Sequence, residues 1–170
     1  MNSVLARWNN LEVADAAHEI LPCCGSQRWA HLLAGFRPFS GVEALIERAD
    51  KIWERLDPSD WNEAFASHPR IGEERLPTSA TTRSAEWSRQ EQSGATLLNK
   101  GIQERLRRAN EEYEQRFKRI YIVCASGKSA EEMLTILSQR LQNDEAIELR
   151  EAAEQQRQIT QLRIRRWLEL

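Results

Sequence analysis

Apolar residues recur at the helical interval along almost the whole 170-residue chain, and only one short run is β-like instead. Val42, Leu45, Ile46, Ala49, Ile52, Trp53 and Leu56 form the clearest stripe. The exception is Ile120-Tyr121-Ile122-Val123-Cys124-Ala125, six residues of β-like character. A sheet needs a second strand, and no other segment offers one. The run therefore reads as a buried extended connection. The fold class predicted is all-α: a single compact multi-helix domain over residues 1–170, with no significant sheet, repeat or linker.

Local signals divide the chain further. Asn9 or Asn10 is placed to cap a first helix carrying Leu11, Ala14, Ile20 and Leu21. A second starts near Ser26 with Trp29, Leu32, Leu33 and Phe36 on its apolar side. Ser40 and Glu43 have capping-box spacing before the 42–56 stripe. Asp57-Pro58 stops that helix, and Ser59 begins a short one that holds Trp61 and Phe65 and runs into His68. Residues 69–83, with Pro69, Pro77 and Thr78-Ser79-Ala80-Thr81-Thr82, are the longest irregular stretch, a length that marks a functional or mobile loop. Ser84 is read as the cap of a helix through Trp87, Glu91, Leu97 and Leu98, which Gly101 bends or interrupts before a charged continuation through Tyr113 and Phe117. Ser126-Gly127-Lys128 is a turn, and Ser129 with Glu132 forms a second capping box before Met133, Leu134, Leu137 and Leu141. Asn143 or Asp144 opens a terminal helix to about Leu168.

Composition excludes several classes of function. The net charge of -2 predicts neither nucleic-acid binding nor attachment to an anionic membrane. No stretch reaches the roughly 20 apolar residues of a membrane span. Met1 to Arg7 lacks a basic region followed by an apolar run, and Leu168-Glu169-Leu170 is not a peroxisomal address, so a cytoplasmic protein is expected. Cys23, Cys24 and Cys124 are odd in number and lack zinc-knuckle spacing, and they read as free thiols. Six of twelve aromatic residues are tryptophan, which fits a few large anchors in a helical body. Twenty arginines against four lysines suit carboxylate recognition or surface pairing on helices.

Three places could carry chemistry. His68 stands at a helix break in His68-Pro69-Arg70-Ile71-Gly72, because Pro69 disfavours α geometry in the residue before it. It is either a structural histidine, capping the helix or packing on Phe65, or a general acid or base able to take either protonation state near neutral pH. Ser88 and Glu91, three residues apart, share a helix face with Trp87. They belong either to a solvated charged face or to a carboxylate set beside a histidine, with Ser88 and Gln92 as hydrogen-bonding walls. Ile159, Arg163 and Trp167 lie at i, i+4 and i+8, so Arg163 points at the protein body, to snorkel or to hold an anion in its fork of donors. His18 and His31 read as structural and have no second ligand at i+3 or i+4, so no metal site is expected. Glu148 and Glu151 with Arg150, like Arg165 and Arg166, read as surface charge. Ser126-Gly127-Lys128-Ser129 is superficially like a phosphate loop, but Ile122 and Val123 stand where its upstream glycine belongs, so nucleotide binding is rejected.

Taken in order, these segments resemble the family of 2-oxo-4-hydroxy-4-carboxy-5-ureidoimidazoline (OHCU) decarboxylases of purine breakdown. The matching elements are His68-Pro69-Arg70-Ile71-Gly72, Ser88-x-x-Glu91-Gln92 with Gly94, and Asn110-x-x-Tyr113-x-x-x-Phe117. They continue with Ile122-Val123-Cys124-Ala125 and Gly127-Lys128-Ser129, Arg140-Leu141-x-Asn143-Asp144 with Glu148, and Ile159-Thr160-x-Leu162-Arg163. The resemblance covers most of the chain from about residue 30. It implies an all-helical enzyme that converts OHCU to (S)-allantoin and carbon dioxide with no cofactor and no metal. It further implies His68 as catalytic acid and Glu91 as its acidic partner. Pro69, Ser88, Gln92 and the backbone of Ile122, Val123, Cys124 and Ala125 would border the substrate, and Arg163 would bind an anionic part of it. A small-molecule ureido-imidazoline partner and a homodimer are implied too. Two alternatives stay open: a noncatalytic helical scaffold, and another cofactor-free lyase or hydrolase on the same frame.

Overall fold

The computed structural model describes residues 2–72, 81–93 and 100–169. Among them nine helices and no strand are found, so the all-α prediction holds. The chain divides into two compact units: Met1–Ala64 with Arg157–Leu170, and Phe65–Gln156.

The first unit is built on tryptophans whose indole nitrogens find acceptors. Trp8 lies in α1 (Ser3–Asn9), donates to the Ala16 carbonyl at 2.9 Å, and meets the Trp167 ring edge-on at 5.5 Å. Trp29 donates to Ala49 O at 3.1 Å, and Trp167 to the Glu19 carboxylate at 3.1 Å. Such rings bury large apolar area while keeping one polar tip satisfied. Helix α1 overturns the expectation of a first helix capped by Asn9 or Asn10. Asn2 caps it instead, accepting from the amides of Val4 and Leu5 at 2.9 and 3.1 Å, and α2 (Val13–Cys24) follows without a side-chain cap. Gly25, at φ 92, closes α2 in the left-handed conformation that glycine adopts without strain.

Helix α3 (Gln27–Gly35) starts as predicted from Ser26, whose hydroxyl accepts from Trp29 N at 3.3 Å. Its outer face carries Leu32 and Phe36, both exposed rather than in the core. The guanidinium of Arg48 covers the Phe36 ring at 4.2 Å, which shields part of it. Helix α4 (Val42–Glu54) buries Leu45, Ile46, Ala49, Ile52 and Trp53, as the stripe requires, but Gly41 is its N-cap and the Ser40/Glu43 box does not form. Helix α5 (Pro58–Ala66) opens on Pro58 rather than Ser59, since proline fits the first helical position, where no amide partner is needed.

In the second unit, α6 (Thr82–Glu91) is capped by Thr81, and Ser84, the expected cap, lies buried inside it. Helix α7 (Lys100–Phe117) buries Leu106, Asn110, Tyr113 and Phe117 along one face. The predicted path through Gly94, Leu97 and Leu98, like Pro77 to Ala80 of the irregular stretch, lies outside the described residues. Helix α8 (Ala130–Arg140) carries the complete Ser129/Glu132 capping box, and α9 (Glu145–Leu168) starts where Asp144 Oδ1 accepts from Ile147 N at 2.8 Å. Between α7 and α8, Tyr121 to Ala125 are buried and belong to no helix or strand, which fits a buried connection. Tyr113, Phe117, Tyr121, Met133 and Leu137 belong to the apolar core of this unit. No described helix is long and apolar enough to cross a membrane.

Candidate active site

His68 is the second residue beyond the end of α5, and its backbone amide donates to Phe65 O at 3.1 Å, so the helix does break there. His68 and Pro69 are both buried. The residues after them turn sharply. Arg70 leaves the site: its guanidinium pairs with the Glu114 carboxylate at 2.5 and 2.7 Å on the surface. Ile71 enters the core, and its carbonyl accepts from Asn110 Nδ2 at 3.1 Å. Gly72 has φ +82, and a Cβ there would meet only Leu106 Cδ1 at 3.7 Å. Backbone conformation rather than space calls for glycine at that point.

The Gly72 amide donates to Gln92 Oε1 at 3.3 Å. Through it the His68–Gly72 segment is tied to the C-terminus of α6, where Ser88 is buried and Glu91 and Gln92 are half-buried. Ile122, Val123, Cys124 and Ala125 are buried in the same unit. Side chains hold their backbone in place of a sheet. Arg140 Nη1 donates to Ile122 O at 2.6 Å, Cys124 N to Gln155 Oε1 at 2.9 Å, and Lys128 Nζ to Cys124 O at 2.7 Å. Nine of the ten sequence-predicted residues thus fall in one unit, and Arg163 falls in the other.

Arg163 is 1% exposed between buried Ile159 and Trp167, so it points inward as its spacing required. Its Nη1 donates to Pro22 O at 3.4 Å. Nearby, burial pushes the Cys24 thiol up to about 12, against the hydrogen bonds of Ser26 and Thr160 and the positive charge of Arg163, which all favour the thiolate. Cys24 is therefore a neutral packing residue. Among the described residues no group of three His, Cys, Asp or Glu gathers in a way that could hold a metal ion.

The sequence matches the family model described as OHCU decarboxylase over residues 9–165. The chain belongs to the OHCU decarboxylase family. It is 31% identical over 128 residues to the 2-oxo-4-hydroxy-4-carboxy-5-ureidoimidazoline decarboxylase of Amia calva, covering 75% of this chain and 73% of that one. It is 38% identical over 144 residues to the uric acid degradation bifunctional protein TTL of Arabidopsis thaliana, covering 84% of this chain but only 44% of that longer protein. A crystal structure of OHCU decarboxylase in the presence of (S)-allantoin superposes with a TM-score of 0.76 at 33% identity, covering 89% of this chain and 98% of that one.

Family membership draws attention to residues whose work the sequence alone did not reveal. Glu148 is not surface charge: it is 0% exposed. Its Oε1 accepts from Tyr113 OH at 2.5 Å and from Arg140 Nε and Nη2 at 2.9 and 2.6 Å, and its Oε2 accepts from Asn143 Nδ2 at 2.8 Å. Burial disfavours the Arg140 charge, yet its bond to Glu148 and that carboxylate's charge outweigh this and raise its pKa. Burial, then the bond to Glu148, pushes the Tyr113 hydroxyl up as well, so it stays a donor. Tyr113, Arg140, Asn143 and Glu148 of the OHCU decarboxylase motifs thus form a buried cluster tied through Arg140 to the Ile122 carbonyl, while Asn110 holds Ile71. A signal for Glu148 did exist: Glu148, Ala152, Gln156, Ile159, Arg163 and Trp167 continue one buried stripe of α9.

Proposed function

We propose that this protein decarboxylates OHCU to (S)-allantoin and carbon dioxide without a cofactor. The observation that carries the reading is the Gly72–Gln92 hydrogen bond, which joins the histidine segment to the end of the Ser88-Glu91-Gln92 helix inside one packed unit. A noncatalytic scaffold has no need of a buried histidine on a left-handed glycine turn latched in this way.

Each residue then has a task in the reaction. The bond from the ring to the substrate carboxylate breaks, its electron pair passes into the ring, and carbon dioxide leaves. A proton must then reach one face of the ring carbon. Arg163 orients an anionic part of the substrate through a fork of donors. Glu91 holds and polarises His68, and His68 delivers the proton to one face. Pro69, Ser88, Gln92 and the Ile122–Ala125 backbone wall the substrate and exclude water. Positioning and preorganised hydrogen bonds carry most of the acceleration. One working domain, a homodimer and a cytoplasmic setting belong to the same reading; the three cysteines, buried and outside any disulfide, fit a reducing compartment.

His68→Ala and Glu91→Ala test the assignment, with OHCU generated in the cuvette and allantoin followed by circular dichroism. Each variant, folded as the wild type, is expected to lose about a hundredfold or more in kcat. A wild-type rate of (S)-allantoin formation by either variant would refute the role of the residue replaced.

A further inference from the structure

We infer that Gln155 and Lys128 are positioning residues that clamp the Cys124 peptide from both ends, fixing the backbone edge that borders the substrate; the inference rests on the function proposed above. Residues 121–125 lie in neither helix nor strand, so no helical or sheet ladder satisfies their peptide groups. Buried peptide groups need partners, and side chains supply them at chosen points. Cys124 N donates to Gln155 Oε1 at 2.9 Å, and Cys124 O accepts from Lys128 Nζ at 2.7 Å.

Both clamps are themselves oriented. Gln155 Nε2 donates to Glu151 Oε1 at 2.9 Å. Glu151, an acceptor when ionised, fixes which end of the Gln155 amide faces Cys124. Lys128 follows Gly127, whose φ of +77 makes the tight turn, and Lys128 N returns to Ala125 O at 3.0 Å. That turn folds the lysine stem back over the residue four places earlier. Among the described residues nothing pairs with the N–H or C=O of Val123, the residue between the Arg140 hold on Ile122 and the double hold on Cys124. The arrangement leaves one peptide edge open inside a rigid frame, as recognition of a small, polar ring requires. Neither clamp needs to touch substrate.

The test compares Gln155→Met and Lys128→Met, which keep length and remove the polar group, with variants that restore it. Lys128→Arg keeps a donor. The double exchange Glu151→Gln with Gln155→Glu keeps an acceptor for Cys124 and an oriented pair. The two methionine variants are expected to lose about tenfold or more in kcat/KM, chiefly in kcat, and to form allantoin of lower enantiomeric excess, with a melting temperature lowered by only the few degrees that one lost hydrogen bond costs. The restoring variants should regain rate and stereochemistry. Wild-type kcat/KM and (S) excess in both methionine variants overturn the inference, as does a loss that tracks melting temperature and is not regained. If Gln155→Met fails to fold, Lys128→Met, in the half-buried turn, decides alone. A wild-type protein that leaves OHCU to its spontaneous course overturns the proposed function and this inference with it; an active wild type with indifferent variants overturns the inference only.

Discussion

Replacing Glu148 with glutamine keeps its shape and removes its charge, and the structure sets the expected loss. Four donors converge on this carboxylate: Tyr113 OH, Arg140 Nε and Nη2, and Asn143 Nδ2. A glutamine must present an NH2 group to some of them, donor against donor. The larger consequence is that Arg140, only 5% exposed, loses its counter-charge. Breaking a buried pair by removing one partner costs about 3–5 kcal/mol, because an uncompensated charge is left inside. For a chain of this size each kcal/mol lowers the melting temperature by roughly 2–4 °C, so a drop of roughly 6–20 °C is expected. Tyr113→Phe removes one donor of the four and should lose about 1–2 kcal/mol. Replacing both Arg140 and Glu148 with methionine should recover part of the single-variant losses, since no lone charge remains. Thermal and urea unfolding followed by circular dichroism measure all of these. A Glu148→Gln protein no less stable than Tyr113→Phe would refute the view that a buried ion pair organises this region.

Further outcomes follow from single residues. The folded-state pKa of Cys24, about 12, lies above its ordinary 9.0, so its stabilisation is complete below that lower value and declines as pH rises toward the upper one, because the unfolded chain loses the proton first. The unfolding free energy from urea titrations should fall in that window by up to about 1.4 kcal/mol per pH unit from this thiol, and Cys24→Ala should flatten the slope; equal slopes would contradict the burial argument. Gly72→Ala meets no clash but holds alanine at φ +82, and should lower stability by about 1–2 kcal/mol in urea unfolding; no change would mean that the turn is not held. Arg163→Lys keeps the charge without the planar fork, and steady-state kinetics should give a KM raised about tenfold; an unchanged KM would remove Arg163 from the site.

The fold was legible where one face of a helix had to be apolar, and less so at the ends. The stripe of α4 and the inward turn of Arg163 followed from spacing, and the absence of a sheet at the 121–125 run followed from the lack of any second strand to pair with it. Helix α1 was missed because seven residues offer only Leu5 and Trp8 as buried positions, too few for a period. The Ser84 cap was misplaced because Thr81, Thr82 and Ser84 all stand near the start of α6, and the Ser40/Glu43 box because Gly41, one residue later, takes the N-cap position of α4 without a side-chain bond. At the site, His68 and Glu91 were visible as residue types, but that Gly72 latches to Gln92 was not, since that contact spans 20 residues. Glu148 was misjudged because Glu-rich helices are usually solvated, and only its donors distinguish it.

Stereospecific decarboxylation is the central claim, and the enantiomeric excess of the allantoin tests it most directly. OHCU loses its carboxylate unaided without stereocontrol, so the wild-type protein should turn freshly generated OHCU into allantoin of (S) handedness, faster than the blank and in proportion to the amount of protein added. Racemic allantoin formed at the blank rate would contradict the account.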